Sequence, residues 1–259
     1  MANNKGLGIL GLKGRRALVT GASRGIGAAT ARLLAAAGAD VMVGYRKRER
    51  EAMTVAAELR SMSVTAATCA ADIATAEGAE ALVRAAVSEL GGLDIFVANA
   101  GIWPEEEVAL GDMDAARWHR TIRENLDSIF FTTAAVARGI SSSGRIVLVS
   151  STAGQRGEAF HADYAATKGA VISITKSLAV ELAPRDVTVN CVAPDWVDTE
   201  MLPGAISGEG IERISSGIPL GRNASPDNIA GPIVFLCSSL ARHVTGEILN
   251  VNGGSVLCG

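Results

Sequence analysis

The sequence predicts an α/β fold: a single doubly wound domain in which a seven-stranded parallel sheet carries helices on both faces. Short apolar or β-branched segments recur along the chain without the polar alternation of a half-exposed strand. Longer segments with helical periodicity separate them. The predicted strands are 16–20, 40–45, 64–70, 93–98, 145–150, 187–192 and 247–252. The predicted helices include 25–38, 76–90, 114–138, 162–183 and 226–239.

Length and composition indicate one globular unit. The 259 residues contain no linker rich in Pro, Gly or Ser, so we expect an amino-terminal tail over 1–14 and one domain over 15–259. Hydrophobic residues make up 48% of the chain and charged residues 20%, which excludes the disordered class. A doubly wound sheet binds its ligand beyond the carboxyl ends of the strands, so functional residues should follow strands.

The charge of the chain favours a small-molecule partner. A net charge of −3 provides no field that would attract nucleic acid or an anionic membrane surface. No apolar segment approaches the ~18 residues of a membrane span, and the first residues lack the features of a secretory signal. We therefore expect a cytoplasmic protein.

The cysteines and histidines show neither a metal-site pattern nor a disulfide pattern. The cysteines lack CxxC spacing, which predicts reduced thiols at Cys69, Cys191, Cys237 and Cys258. The histidines are equally dispersed, and we expect surface or supporting positions for His119, His161 and His243. We expect no bound metal ion.

A glycine-rich segment lies between the first predicted strand and an amphipathic helix. It reads Thr-Gly-Ala-Ser-Arg-Gly-Ile-Gly over 20–27, and its three glycines allow a tight turn and the close approach of a pyrophosphate. The helix start adds free N–H groups and a partial positive charge. An ordinary strand-to-helix turn also contains glycines, but the placement between this strand and this helix favours dinucleotide binding.

The spacing Gly-x-x-x-Gly-x-Gly resembles that of the short-chain dehydrogenase/reductase family, which has a Rossmann-type fold. Other motifs of that family follow in the same order, so the resemblance covers nearly the whole chain. They are Asp72, Asn99-Ala100-Gly101 and Tyr164-x-x-x-Lys168. The resemblance implies hydride transfer between a nicotinamide cofactor and a carbonyl or alcohol. In the glycine segment it implies cofactor contacts from Gly21, Ser23, Arg24, Gly25, Ile26 and Gly27.

The end of the second predicted strand indicates which nicotinamide cofactor binds. An NAD enzyme usually has an acidic residue there, which holds the ribose 2′-hydroxyl. This chain has Tyr45 and Arg46 instead, and Arg46 with Arg24 can bracket a 2′-phosphate through charge-assisted hydrogen bonds. NADP(H) is therefore favoured, and NAD(H) is not excluded. Alternatively, the basic run begins a solvated helix, which we expect for Lys47, Arg48 and Arg50.

The resemblance implies two further groups of contacts to the adenosine side of the cofactor. Asp72 would accept a hydrogen bond from the adenine amino group, with Ile73 packed nearby. The residues that would lie along the ribose are Asn99, Ala100 and Gly101. Alternatively, Asp72 caps the helix beginning near Ala76, and 99–101 is a plain turn.

A segment after the sixth predicted strand matches the part of the family that contacts the nicotinamide carboxamide. The resemblance carries this contact to Pro194, Val197 and Thr199. Asp195 departs from the pattern, because glycine is usual there. A side chain at this position would be strained if φ were positive, so we expect an altered local backbone.

Tyr164 and Lys168 are the predicted reacting pair. They are four residues apart in a helical segment and so share one face. The pKa of a free tyrosine is about 10, and a nearby ammonium should lower it and favour the phenolate. Tyr164 could then give or take the substrate proton. By resemblance, Lys168 also binds the nicotinamide ribose hydroxyls.

Ser151 and Asn125 complete the predicted catalytic set. Ser151, rather than Ser150, lies thirteen residues before Tyr164, which matches the family. Its hydroxyl would hold the carbonyl oxygen as negative charge develops, and no histidine base accompanies it as a nucleophile would require. By resemblance, Asn125 bends its helix and holds a water in a relay from Lys168.

The substrate is less well defined than the reaction. By resemblance, 200–219 is a variable lid, which we expect to be mobile because of its glycines. Candidate pocket residues are Trp103, Phe160 and Trp196. The chain looks most like bacterial 3-oxoacyl-carrier-protein reductases and related ketoreductases, so the substrate would be a ketone or a 3-oxoacyl group, including a carrier-bound one. The resemblance also implies a homotetramer.

Other functions stay open at this point. Sugar, steroid and secondary-metabolite enzymes share the same resemblance. An NAD-linked alcohol dehydrogenase is disfavoured by Arg46 but is not excluded by it. A protein that senses NADP(H), or a scaffold that binds it without turnover, would have degraded catalytic positions. None of the four positions is degraded here.

Overall fold

The seven predicted strands form one parallel sheet. The computed structural model describes residues 4–200 and 215–257, and within it the strand order is β3-β2-β1-β4-β5-β6-β7. The strands are β1 Arg16–Thr20, β2 Asp40–Tyr45, β3 Ala66–Ala70, β4 Ile95–Ala98, β5 Arg145–Val149, β6 Thr188–Pro194 and β7 Ile248–Val251. The prediction of a doubly wound, seven-stranded parallel sheet is confirmed.

Helices connect the strands and cover both faces of the sheet. They are α1 Gly25–Ala36, α2 Glu49–Arg60, α3 Ala76–Leu90, α4 Ala115–Ile122, α5 Ser128–Gly139, α6 Ala153–Arg156, α7 Ala162–Leu182 and α8 Pro226–Cys237. One prediction is corrected, because a π-helical turn at Arg123–Asp127 interrupts the continuous helix expected over 114–138. Among the helices of the described residues, none has the length and apolar character that crossing a bilayer requires.

The strands lack polar alternation because the core lies on both sides of the sheet. In β1, neighbouring residues point to opposite faces, yet Leu18 and Val19 are both fully buried. Val19 packs in the core cluster that includes Leu34 of α1 and Ile229 of α8. Leu18 packs in the opposite cluster, which includes Leu82 of α3 and members of α5 and α7. A continuous apolar strand is therefore what this architecture requires.

The winding of the sheet reverses between β1 and β4, and hydrogen bonds join the carboxyl ends of these two strands. The Thr20 hydroxyl accepts from the backbone N–H groups of Asn99 at 3.0 Å and Ala100 at 3.1 Å. The Asn99 amide donates to the Thr20 carbonyl at 3.0 Å. The segments that follow β1 and β4 are thus held together. A ligand is expected at this edge of the sheet.

The segments outside the predicted domain core are only partly described. A 3₁₀ helix runs over Asn4–Leu10 in the predicted tail, and Leu12 is buried in the core cluster of α1 and α8. Most of the predicted lid over 200–219 lies outside the described residues, so its mobility stays a prediction.

Candidate active site

A cavity of about 380 Å³ opens at the carboxyl ends of the strands, where the winding reverses. Most of the predicted site residues line it. They are Gly21, Ser23, Arg24, Gly25, Ile26, Tyr45, Arg46, Asp72, Ile73, Asn99, Ala100, Gly101, Trp103, Ser151, Tyr164, Lys168, Pro194, Trp196, Val197 and Thr199. Its volume lies in the range typical of small-molecule sites.

The glycine segment is shaped for an anionic group. A Cβ atom added to Gly27 would lie 2.4 Å from the Gly21 carbonyl oxygen and 2.6 Å from the Asn99 amide nitrogen, so only glycine fits. The backbone turns at Gly25 with a φ of 54°, and α1 begins there. Arg24 at the N-cap of α1 makes no side-chain cap hydrogen bond. The N–H groups of the first turn can therefore serve a phosphate.

Arg24, Arg46 and Arg48 are paired with carboxylates that no sequence motif indicates. Arg46 donates to Glu124. Arg24 donates to Glu200 at 2.9 Å, and Arg48 lies 3.0 Å from the same carboxylate. Both acidic residues come from segments far along the chain, and neither belongs to a recognisable motif. Lys47 and Arg48 lie at the start of α2, as expected, and they also line the cavity.

Asp72 is held in place by Arg123 and does not cap α3. Its carboxylate accepts from the Arg123 guanidinium and, at 3.2 Å, from the backbone N–H of Ala74. Burial raises the pKa of the Asp72 carboxyl, but these hydrogen bonds outweigh it and lower the pKa below its usual value. The cap is Thr75, whose hydroxyl accepts from the N–H of Gly78 at 3.1 Å. The alternative of a capping role for Asp72 is therefore wrong.

Asn125 lies in the π-helical turn, directly behind the cavity. It is 1% exposed. Its amide oxygen accepts from the N–H of Ile102 at 2.7 Å, and its amide nitrogen donates to the Ile102 carbonyl at 3.0 Å. A Cβ on Gly101 would lie 3.0 Å from the Asn125 oxygen and 3.7 Å from the Lys168 Nζ. Asn125, Gly101 and Lys168 therefore meet at one point.

Tyr164 and Lys168 lie side by side on α7, both deeply buried. The Lys168 Nζ is 5.6 Å from the centre of the Tyr164 ring and donates to the Val149 carbonyl at 2.9 Å. Burial lowers the pKa of Lys168 to about 8, since water no longer solvates the ammonium. Burial also raises the pKa of Tyr164 to about 12, although a hydrogen bond with Ser151 opposes this.

The pKa of Tyr164 corrects the sequence-based expectation, which was a shift in the opposite direction. Lys168 gives its hydrogen bond to a backbone carbonyl rather than to the phenol, and its Nζ lies 5.6 Å from the centre of the Tyr164 ring. Desolvation of the phenolate is therefore the larger effect. Glu158 raises the pKa of Tyr164 further through its negative charge.

Ser150 and Ser151 have different partners. The buried Ser150 hydroxyl donates to the Lys168 carbonyl at 2.7 Å and so anchors β5 to α7. The Ser151 hydroxyl accepts from the N–H of Ala153 at 3.2 Å and also shares a hydrogen bond with Tyr164. Of the two, Ser151 is therefore the one placed beside the phenol.

Aromatic rings surround the Tyr164 end of the cavity. The Trp103 ring stacks on His161 with 4.2 Å between centroids, and it meets the edges of Tyr164 at 4.7 Å and Trp196 at 5.6 Å. His161 is buried, and sequence reasoning could not find this role because the histidine has no motif of its own. Phe160 is 53% exposed and does not line the cavity, so its assignment to the pocket is not supported.

Comparison with known proteins agrees with this geometry. The sequence matches the Enoyl-(Acyl carrier protein) reductase family over residues 21–255. The chain belongs to the short-chain dehydrogenase/reductase family. As a member of that family it is an oxidoreductase, and the resemblance noted from the motifs is confirmed.

Three relatives illustrate the similarity of this short-chain dehydrogenase/reductase. The chain is 42% identical to 3-oxoacyl-(acyl-carrier-protein) reductase FabG of Vibrio cholerae, over 95% of this chain and 98% of the other. It is 40% identical to L-rhamnose 1-dehydrogenase (NAD(P)(+)) of Azotobacter vinelandii, over 92% and 94%. A crystal structure of a short chain dehydrogenase from Burkholderia cenocepacia in complex with NADP gives a TM-score of 0.89, with 36% identity and coverage of 94% and 98%.

The replacement of the family's usual glycine by Asp195 has a structural explanation in this enzyme. Asp195 does not adopt a positive φ, so the expected strain is absent. Its carboxylate accepts from the Thr152 hydroxyl at 2.9 Å and lies 3.9 Å from the Arg156 guanidinium. The side chain is thus held by the segment that follows Ser151.

Proposed function

We propose that this enzyme is an NADP(H)-dependent ketoreductase, which reduces a ketone or 3-oxoacyl group to a secondary alcohol with Tyr164 as the general acid. The observation that carries the proposal is the buried group of Tyr164, Ser151 and Lys168 at one end of a cavity whose other end is the glycine segment. The pKa of about 12 keeps Tyr164 protonated at neutral pH, so it can act as the proton donor.

The residues of the cavity fit a nicotinamide dinucleotide. The start of α1 suits the pyrophosphate, and Gly27 lets that start pack closely against Gly21 and Asn99. Tyr45, Arg46 and Asp72 would hold the adenosine part, and Lys168 and the segment 194–199 would hold the nicotinamide part. When bound, the cofactor supplies the hydride.

Four side chains of the protein would carry out the remaining steps of the reaction. Ser151 would donate a hydrogen bond to the carbonyl oxygen and hold it beside the Tyr164 hydroxyl. As charge develops on that oxygen, Tyr164 would transfer its proton to it. The Lys168 ammonium, 5.6 Å from the ring, would stabilise the phenolate that remains. Asn125 would hold the backbone at Ile102, and thereby Gly101, in place beside Lys168.

A sugar or polyol dehydrogenase is the second candidate. Two acidic side chains, Asp195 and Glu158, and the rings of Trp103 and Trp196 line the cavity near Tyr164. Carboxylates accept hydrogen bonds from hydroxyl groups, and Arg156 offsets the charge of both, so this end suits a hydroxylated substrate. The similarity to the rhamnose dehydrogenase of Azotobacter supports the same alternative. A sensor or scaffold that binds NADP(H) without turnover is disfavoured, because all four catalytic positions are present.

A substrate panel tests the proposal. Ketones, 3-oxoacyl thioesters, aldoses and secondary alcohols would be assayed with NADPH, NADH, NADP⁺ and NAD⁺. The absorbance of the reduced nicotinamide would report turnover. We expect the highest kcat/KM with a ketone or 3-oxoacyl thioester and NADPH. A higher kcat/KM for a sugar with either oxidised cofactor would favour the second candidate. No turnover on any substrate, despite cofactor binding, would point to the sensor.

Arg46→Ala tests the cofactor preference. Its guanidinium is proposed to pair with the 2′-phosphate, and one such charge-assisted hydrogen bond contributes about 1.5–3 kcal/mol. We expect the Kd for NADPH to rise about tenfold or more. The Kd for NADH should stay nearly constant, because NADH has no phosphate to lose. Both constants can be measured by quenching of tryptophan fluorescence.

Arg50→Ala is the matched control for Arg46→Ala. Arg50 belongs to the same basic run but does not line the cavity, so neither Kd should change. Tyr45→Asp would complement both, because a carboxylate at that position should repel the phosphate and accept from the ribose hydroxyls. If Arg46→Ala weakens both cofactors equally, the phosphate contact is wrong.

We also propose that the enzyme is a cytoplasmic homotetramer. The resemblance to the family carries this proposal, since the last helix and strand commonly form a subunit interface there. Partly exposed apolar side chains at Phe235 on α8 and at Leu240 support such an interface.

A further inference from the structure

Two acidic and two basic side chains form a continuous chain of ion pairs at the adenosine end of the cavity. Arg46 pairs with one oxygen of Glu124. The other oxygen of Glu124 accepts from Arg123 at 2.8 Å, and Arg123 in turn pairs with Asp72. Both Glu124 and Arg46 line the cavity. One nitrogen of the guanidinium proposed to bind a 2′-phosphate is thus already hydrogen-bonded to a carboxylate.

We propose that Glu124 is a specificity-determining residue, which lowers the preference for NADP(H) by competing with the 2′-phosphate for Arg46. This inference rests on the proposed function, because it assumes that Arg46 binds the phosphate. Binding of NADP(H) then sets a phosphate and the Glu124 carboxylate in competition for one guanidinium, whereas NAD(H) brings no 2′-phosphate to compete. The enzyme therefore discriminates less between the two cofactors than Arg46 alone would allow.

The position of Glu124 explains why it competes effectively. Its side chain is only 14% exposed, while that of Arg46 is 38% exposed, so the pair is less screened by water than an ordinary surface pair. Glu124 lies in the π-helical turn beside Asn125, and Arg123 holds its second oxygen. The carboxylate is thus held near Arg46 by partners on two sides. Glu200 pairs with Arg24 and Arg48 but is 60% exposed, so solvent can replace those contacts more easily.

Glu124→Gln provides the test, because glutamine keeps the shape of the side chain and removes its charge. Fluorescence quenching would give Kd values for NADPH and NADH. We expect the Kd for NADPH to fall by about threefold or more while the Kd for NADH changes little. Glu124→Ala, which removes the carboxyl group entirely, should shift the ratio of the two constants in the same direction. Thermal melting would confirm that the variants are folded.

The control variant is Glu80→Gln. Glu80 also bridges two arginines, at 3.0 Å from Arg138 and 3.4 Å from Arg84, but it lies on the surface between α3 and α5 and does not line the cavity. Its replacement removes the same charge and should leave both Kd values unchanged. An equal gain in NADPH affinity from Glu80→Gln would mean that net charge, and not Glu124, is responsible.

The double variant Arg46→Ala, Glu124→Gln separates competition for Arg46 from a general charge effect. Without Arg46, the Glu124 carboxylate and the 2′-phosphate no longer share a partner. Adding Glu124→Gln should therefore no longer strengthen NADPH binding. An undiminished gain in the Arg46→Ala background would overturn the inference and leave the phosphate contact intact. If Arg46→Ala by itself has no selective effect on NADPH, the proposed phosphate contact of Arg46 and this inference both fail.

Discussion

Replacing Tyr164 with Phe is expected to lower kcat for carbonyl reduction by about 10²-fold or more, the usual contribution of a positioned general acid. The substitution removes only the hydroxyl. The ring would keep its contacts with Trp103 at 4.7 Å and with the Lys168 ammonium at 5.6 Å, so the Kd for NADPH should change little. Steady-state kinetics and fluorescence titration would measure the two effects separately.

Thr175→Val is the matched control for Tyr164→Phe. It also removes a buried hydroxyl from α7, one that donates to the Val171 carbonyl at 2.8 Å and does not reach the cavity. The control should affect stability more than turnover. A Tyr164→Phe enzyme that retains wild-type kcat would remove Tyr164 from the role of acid.

Lys168→Met is expected to reduce both turnover and cofactor affinity. Methionine fills a similar volume without the charge, so the change tests the ammonium rather than the packing. We expect kcat to fall by about 10²-fold and the Kd for NADPH to rise by about fivefold or more, because Lys168 is assigned to both tasks. Lys176→Met, an exposed lysine on the same helix, should leave both values unchanged. Loss of kcat with no change in Kd would remove the cofactor contact from Lys168.

The pH dependence of kcat offers a second measurement of the same residue. Burial lowers the pKa of Lys168 to about 8, so the ammonium is present below that pH and is lost above it. The charged or titratable neighbours are Tyr164 on α7 and Cys191 on β6, and Cys191 raises the pKa of Lys168. The rate of carbonyl reduction should therefore fall as pH rises through about 8. Lys168→Met should lack this decrease.

The sequence by itself was sufficient for features that depend on neighbouring residues. The seven strands could be located because a strand buried on both faces is apolar throughout, as Leu18 and Val19 illustrate. The glycine segment could be interpreted because a tight turn before a helix requires specific backbone angles. Tyr164 and Lys168 could be paired because residues four apart share a helix face.

Only the tertiary structure decided the features that depend on segments far apart in the chain. Glu124 reaches Arg46 across 78 residues and Arg123 reaches Asp72 across 51, and no local pattern specifies either ion pair. The raised pKa of Tyr164 arises from burial by surrounding elements, which a spacing of four residues does not reveal. Asp195 is unstrained because its φ is not positive, and its side chain contacts Thr152 and Arg156. Periodicity and turn chemistry act over a few residues, whereas charge pairing and desolvation depend on which surfaces the fold brings together.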